Sequence, residues 1–80
     1  MKLPRDWSGD DLTRRLSRIG YVVTRQSGSH MRLTLTTTEG THHVTVPRHD
    51  WLRTGTLANI LDDVAGYLKL SRDELLARLA

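Results

Sequence analysis

His30 is the residue of this sequence best placed to carry out acid–base chemistry. It opens a strictly alternating segment in which Met31, Leu33 and Leu35 are apolar and the intervening residues are polar. Such alternation is typical of a half-buried β-strand, so His30 should face away from the core. Because imidazole titrates near neutral pH, His30 could take the proton of a ribose 2′-hydroxyl or give one to the departing 5′-oxygen. This chemistry would cleave RNA, but from position alone an exposed strand histidine without a task is the preferred interpretation.

Arginines near His30 could stabilise the negative charge that gathers on a phosphate during cleavage. Ten of the twelve cationic residues are arginine, whose guanidinium binds phosphate through two parallel hydrogen bonds. Arg25 and Arg32 are the candidates, and Arg32 is favoured because the alternation puts it on the same face as His30. Ser29 either donates a hydrogen bond to phosphate or simply holds the turn at Gly28, and the second role is the preferred one.

The other three histidines raise the question of a metal site. His42 and His43 are adjacent in a predicted strand and must point to opposite faces, and no carboxylate lies at ligand spacing. We therefore expect no metal and no cofactor. His49 follows Arg48 in a basic loop, where it could assist catalysis or contact phosphate, and a hydrogen bond that stabilises the loop is at least as good an interpretation.

Hydrophobic periodicity and capping signals predict the elements that position these residues. Ser8 is the expected N-cap of a first helix, and a three-stranded meander follows it, at about residues 21–26, 30–36 and 41–46. A second helix would be capped by Thr54 or Thr56, and Ser71 begins a short third helix through a capping box. The predicted fold is an α+β sandwich of order α-β-β-β-α(α), with the helices packed on one face of a three-stranded antiparallel sheet.

Length and composition limit the remaining choices. Eighty residues without cysteine allow one domain, residues 1–80, and exclude thiol nucleophiles, zinc–thiolate sites and iron–sulfur clusters. No run of 18 apolar residues exists and the N-terminus lacks the apolar core of a signal peptide, so we expect a soluble cytoplasmic protein without a membrane partner. The four aromatic residues should fill the core and its rim.

Three motifs occur in a characteristic order along the chain. They are Gly28-Ser29-His30, then Val46-Pro47-Arg48-His49, then Gly55-Thr56-Leu57 followed by Ile60-Leu61. With them the sequence resembles the HicA (YcfA-like) family of type II toxins. The resemblance implies a fold like that of double-stranded-RNA-binding domains, a translation-independent mRNA interferase activity, a cognate HicB antitoxin, and His30 as the essential catalytic residue. Asp62-Asp63 departs from the family pattern and argues against phosphate contacts by the second helix.

The first hypothesis is therefore a metal-independent endoribonuclease toxin that cleaves mRNA with His30 as general acid or base. A HicB-like antitoxin would cover the RNA-binding surface, in a complex that could extend to a higher-order assembly. Two alternatives stay open: a non-catalytic RNA-binding module of the same fold, and a protein that acts as one half of a complex through an apolar rim around Trp51 and Leu52. The expected RNA-binding residues are Gly28, Ser29, Arg25, Arg32, Arg48 and His49.

Overall fold

The computed structural model describes residues 3–80, which form three helices and three strands. The order confirms the predicted α+β fold, with a third helix after the second. The elements are α1 (Gly9–Ser17), β1 (Val22–Ser27), β2 (His30–Thr37), β3 (Gly40–Pro47), α2 (Thr54–Leu68) and α3 (Arg72–Leu79). Within residues 3–80, no helix has the length and apolar character needed to span a membrane.

The sheet is antiparallel in the order β1-β2-β3, and its two faces differ sharply. The predicted alternation is confirmed, because Met31, Leu33 and Leu35 of β2 are buried and pack with Val44 and Val46 of β3 against the helices. The opposite face, here called the open face, carries no helix. It bears the residues of β2 that alternate with them, namely His30, Arg32, Thr34 and Thr36.

The N-terminus of α1 is fixed by a capping box and by close contact with the end of β3. Ser8 caps the helix as predicted: its hydroxyl accepts a hydrogen bond from the amide of Asp11, whose carboxylate accepts one from the amide of Ser8. These bonds lower the pKa of Asp11. A Cβ at position 9 would lie 2.1 Å from the carbonyl oxygen of Pro47, so only glycine allows this approach.

The start of α2 differs from the prediction. Its N-cap is Arg53, which makes no side-chain capping bond, and Thr54 is already the first helical residue. The helix therefore begins before either threonine can occupy the extended N-cap conformation that a side-chain cap requires. The predicted capping box of α3 is confirmed, because the Ser71 hydroxyl accepts from the amide of Glu74, whose carboxylate accepts from the amide of Ser71.

The aromatic residues follow the prediction with one exception. Tyr21 is fully buried, and Trp7 and Tyr67 are partly buried and pack against the core. Trp51 is instead 72% exposed, while its neighbour Leu52 is buried. The predicted apolar rim is thus reduced to one projecting indole, because the backbone amide of Leu52 bonds to the carbonyl of Trp7 and its side chain joins the core.

Candidate functional site

A shallow depression of about 350 Å³ lies on the open face, and it brings the best sequence candidates together. Five residues from all three strands line it: Arg25, Ser27, His30, Arg32 and Thr45. His30 is exposed, so it lies on the surface as predicted. The depression is therefore a place where an imidazole and two guanidinium groups can reach the same ligand.

The β1–β2 hairpin positions His30. Gly28 has a φ of +57° in the turn, a conformation that glycine adopts without strain. His30 is the first residue of β2, where it pairs with Ser27 on one side and with Pro47 on the other. The turn is also tied to the end of β3, because the amide of Arg48 donates to the carbonyl of Ser29 at 2.6 Å. The backbone on both sides of the imidazole is thus held by hydrogen bonds.

A bulge in β1 brings Arg25 to the depression. The register shifts between Val23 and Arg25, so that Val23 pairs with core-facing Leu33 while Arg25 pairs with Arg32. Directly opposed residues of an antiparallel pair share a face, so Arg25 lies on the open face beside Arg32. Neither guanidinium forms an ion pair with any residue of the described chain, 3–80. Both therefore keep their hydrogen-bond donors for a ligand.

The other predicted RNA-binding residues lie around the depression without lining it. Gly28 and Ser29 form the hairpin turn. Arg48 is paired with Asp10 of α1, with Nε 3.1 Å from a carboxylate oxygen. The carbonyl of His49 accepts a hydrogen bond from the amide of Gly9, and its side chain is exposed.

Sequence reasoning missed two lining residues, Ser27 and Thr45. Ser27 lies just beyond the predicted first strand of residues 21–26, but it is the last residue of β1 and pairs with His30. Thr45 pairs with Arg32 across β2 and β3. The alternation of β3 already placed Thr45 on the polar face, and only the strand register was needed to bring it next to Arg32.

His42 and His43 point to opposite faces, as predicted. His42 faces the helices: Nδ1 lies 2.7 Å from the Tyr21 hydroxyl, Nε2 lies 3.0 Å from a carboxylate oxygen of Asp63, and the ring stacks on Tyr67. Burial, with smaller effects from Asp63 and Tyr67, raises the pKa of Tyr21 to about 12. This cluster joins β3 to α2 and is not part of the open face.

His43 lies on the open face and begins a chain of side-chain hydrogen bonds. Its Nδ1 is 2.8 Å from the hydroxyl of Thr34, which is 2.8 Å from the hydroxyl of Thr24. The Thr24 hydroxyl also donates to the carbonyl of Arg32 at 3.3 Å. Within residues 3–80, no group of three or more histidine, aspartate or glutamate side chains is arranged to hold a metal ion.

The fold and the depression define a small α+β domain with a cationic open face that carries an exposed histidine. The family model of the "HicA toxin of bacterial toxin-antitoxin" matches residues 9–65, which is well over half of the chain and includes the whole depression. The chain belongs to this HicA toxin family and is thus the toxin of a toxin–antitoxin system. No curated protein and no solved structure gives a significant match.

Proposed function

We propose that this toxin is an endoribonuclease that cleaves mRNA at the depression on the open face, with His30 as general acid or base. The observation that carries the proposal is that His30, Arg25 and Arg32 line one depression in a chain of the HicA family. An exposed imidazole beside two guanidinium groups that form no ion pair within residues 3–80 suits a phosphodiester, because the substrate is anionic and its cleavage needs proton transfer.

The reaction that fits these groups is attack by the ribose 2′-oxygen on the adjacent phosphorus. The bond between the 2′-oxygen and phosphorus forms while the bond from phosphorus to the 5′-oxygen breaks. The 2′-hydroxyl loses a proton and the departing 5′-oxygen gains one, and His30 makes one of these transfers. The products are a 2′,3′-cyclic phosphate and a free 5′-hydroxyl, so DNA is not a substrate.

Arg25 and Arg32 would stabilise the charge that gathers on the non-bridging oxygens in the transition state. They lie opposite each other on β1 and β2, so they can hold one phosphate from two sides. Ser27 and Thr45 supply hydroxyls at the walls of the depression. These residues give the chain its own means of charge stabilisation, and we therefore expect the cleavage to need no metal.

Replacement of the imidazole tests the proposal. We expect His30→Ala to reduce cleavage of a labelled single-stranded RNA by about 10²- to 10⁴-fold, the usual contribution of a general acid or base. Gln26→Ala is the matched control, because Gln26 lies in the same hairpin and is exposed, but pairs with core-facing Met31. Both variants are assayed with chelator present, and circular dichroism confirms that they fold.

Two outcomes would contradict the proposal. Cleavage by His30→Ala at the native rate would exclude His30 from catalysis. If the native protein leaves RNA intact after long incubation but binds it in a salt-sensitive manner, the toxin is instead a non-catalytic RNA-binding module.

We further propose that a HicB-like antitoxin neutralises the toxin by covering the open face, in a complex that could be of higher order. The support is that this face carries the proposed catalytic groups and no helix. Added antitoxin should therefore block both RNA cleavage and RNA binding, and it should compete with RNA for the same protein. A ternary complex of toxin, antitoxin and RNA with full RNA affinity would contradict this proposal.

A further inference from the structure

His43 is the second exposed histidine of the open face, and its ring is held by the hydroxyl chain described above. Thr34, the middle residue of that chain, is 7% exposed and pairs directly with His43 across β2 and β3. A buried threonine that contacts two side chains gives the imidazole a defined orientation. His43 is thus an ordered surface group, although it lies outside the depression.

All three hydrogen bonds of this chain can form at once in only one arrangement, which places a proton on Nδ1 of His43. The carbonyl of Arg32 can only accept, so the Thr24 hydroxyl uses its one proton there. The Thr34 hydroxyl must then donate to Thr24. The oxygen of Thr34 consequently accepts from Nδ1–H of His43. In the neutral imidazole, Nε2 therefore carries the free lone pair and acts as a hydrogen-bond acceptor.

His43 is also continuous with the depression. It alternates with Thr45 on the same face of β3, and Thr45 lines the depression beside Arg32. The pairing partner of His43 is four residues from His30 along β2, which corresponds to about 13 Å at the rise of a β-strand. This separation is too large for both imidazoles to act on one phosphate.

We infer that His43 binds a nucleotide that flanks the cleaved phosphate, with Nε2 accepting a hydrogen bond from an N–H or O–H group of that nucleotide. This inference rests on the proposed function, because it extends the RNA site from the depression along the open face. The donor is a ribose 2′-hydroxyl or a base amine, both of which single-stranded RNA presents. Thr34 is a positioning residue that acts through the His43 ring.

RNA affinity is measured with proteins that also carry His30→Ala, so that the substrate stays intact. We expect His43→Ala to weaken binding of a single-stranded RNA about three- to tenfold, as for one hydrogen bond. Thr34→Val keeps the shape of the side chain but breaks the hydroxyl chain, and it should give a smaller loss. Thr41→Ala is the matched control: it lies two residues from His43 on the same exposed face of β3 and should bind like the parent.

The kinetic readout separates binding from catalysis. In proteins with native His30, His43→Ala should raise KM for the long RNA and leave kcat unchanged, and it should not affect a dinucleotide that occupies the depression alone. RNAs with single 2′-deoxy substitutions locate the donor. If one substitution removes the difference in KM between the native protein and His43→Ala, the donor is the 2′-hydroxyl at that position. If no substitution does so, the donor is a base amine.

The inference would be overturned if His43→Ala bound RNA as tightly as the parent. It would also be overturned if His43→Ala lowered kcat for the dinucleotide as much as for the long RNA. The proposed nuclease function fails separately, if the native protein cleaves neither substrate. The affinity measurement needs no cleavage, so a contribution of His43 to RNA binding would still be detected in that case.

Discussion

The salt dependence of RNA binding should show that Arg25 and Arg32, the two arginines of the depression, contact RNA phosphates. Each guanidinium that neutralises a phosphate of single-stranded RNA contributes about 0.7 to the slope of log affinity against log salt concentration. Because Arg25 and Arg32 have no ion-pair partner within residues 3–80, both can contribute. The double variant Arg25→Gln/Arg32→Gln should therefore lower the slope by about 1.4. Between 50 and 200 mM salt, the parent should lose about sevenfold more affinity than the double variant.

Fluorescence anisotropy with a labelled RNA, in proteins that also carry His30→Ala, gives the two slopes. Arg78→Gln is the matched control, because it removes one positive charge from an exposed position of α3, in the helical layer of the molecule. Its slope should equal that of the parent. If the double variant retains the parent's slope, or if Arg78→Gln reduces the slope as much per charge, RNA does not bind at the depression.

Two further predictions concern the framework of the site. Gly9→Ala should lower the thermal midpoint by about 5–20 °C, because overpacking against the Pro47 carbonyl costs about 1–3 kcal/mol. Gly66→Ala is the control: it lies at an open helical position and should raise the midpoint by a few degrees. If Gly9→Ala melts at the same temperature as the native protein, the close approach of Gly9 to the Pro47 carbonyl is refuted. Tyr21→Phe should cost about 1–3 kcal/mol in urea unfolding, because it leaves Nδ1 of His42 unpaired. Burial raises the pKa of Tyr21 to about 12, from about 10 in the unfolded chain, so the free energy of unfolding should fall as pH rises from 10 to 12. This fall should be smaller in Tyr21→Phe. An identical dependence of stability on pH in the two proteins would contradict the raised pKa of Tyr21.

The sequence was sufficient to predict the α+β fold and the orientation of His30, because both depend on local patterns. Alternation along β2 separates core residues from surface residues without any knowledge of the partner strands. The capping boxes at Ser8 and Ser71 are likewise complete within four residues. Thr54 shows the limit of this reasoning: a residue with capping propensity lies near the start of α2, but Arg53 is the N-cap and Thr54 is already helical.

Arg25, His30 and Arg32 are candidates from the sequence, but their meeting with Ser27 and Thr45 in one depression could not be predicted, because it depends on strand register and on the bulge in β1. Strict alternation would place Arg25 on the same face as Tyr21, which is fully buried. The extra residue at the bulge shifts the alternation, so that Val23 pairs with core-facing Leu33, whereas Arg25 and Ser27 pair with Arg32 and His30 of the open face. No local residue pattern signals this reversal, since Thr24 is an ordinary strand residue.

The one-sided packing of the sheet separates the residues that stabilise the fold from the residues that are free to contact a partner. Along β2 and β3, alternate residues pack against the helices, and the residues between them lie on the open face, where all but Thr34 are exposed. Under the proposed function, substitutions on the open face would change the contacts with RNA or antitoxin and leave the hydrophobic layer untouched.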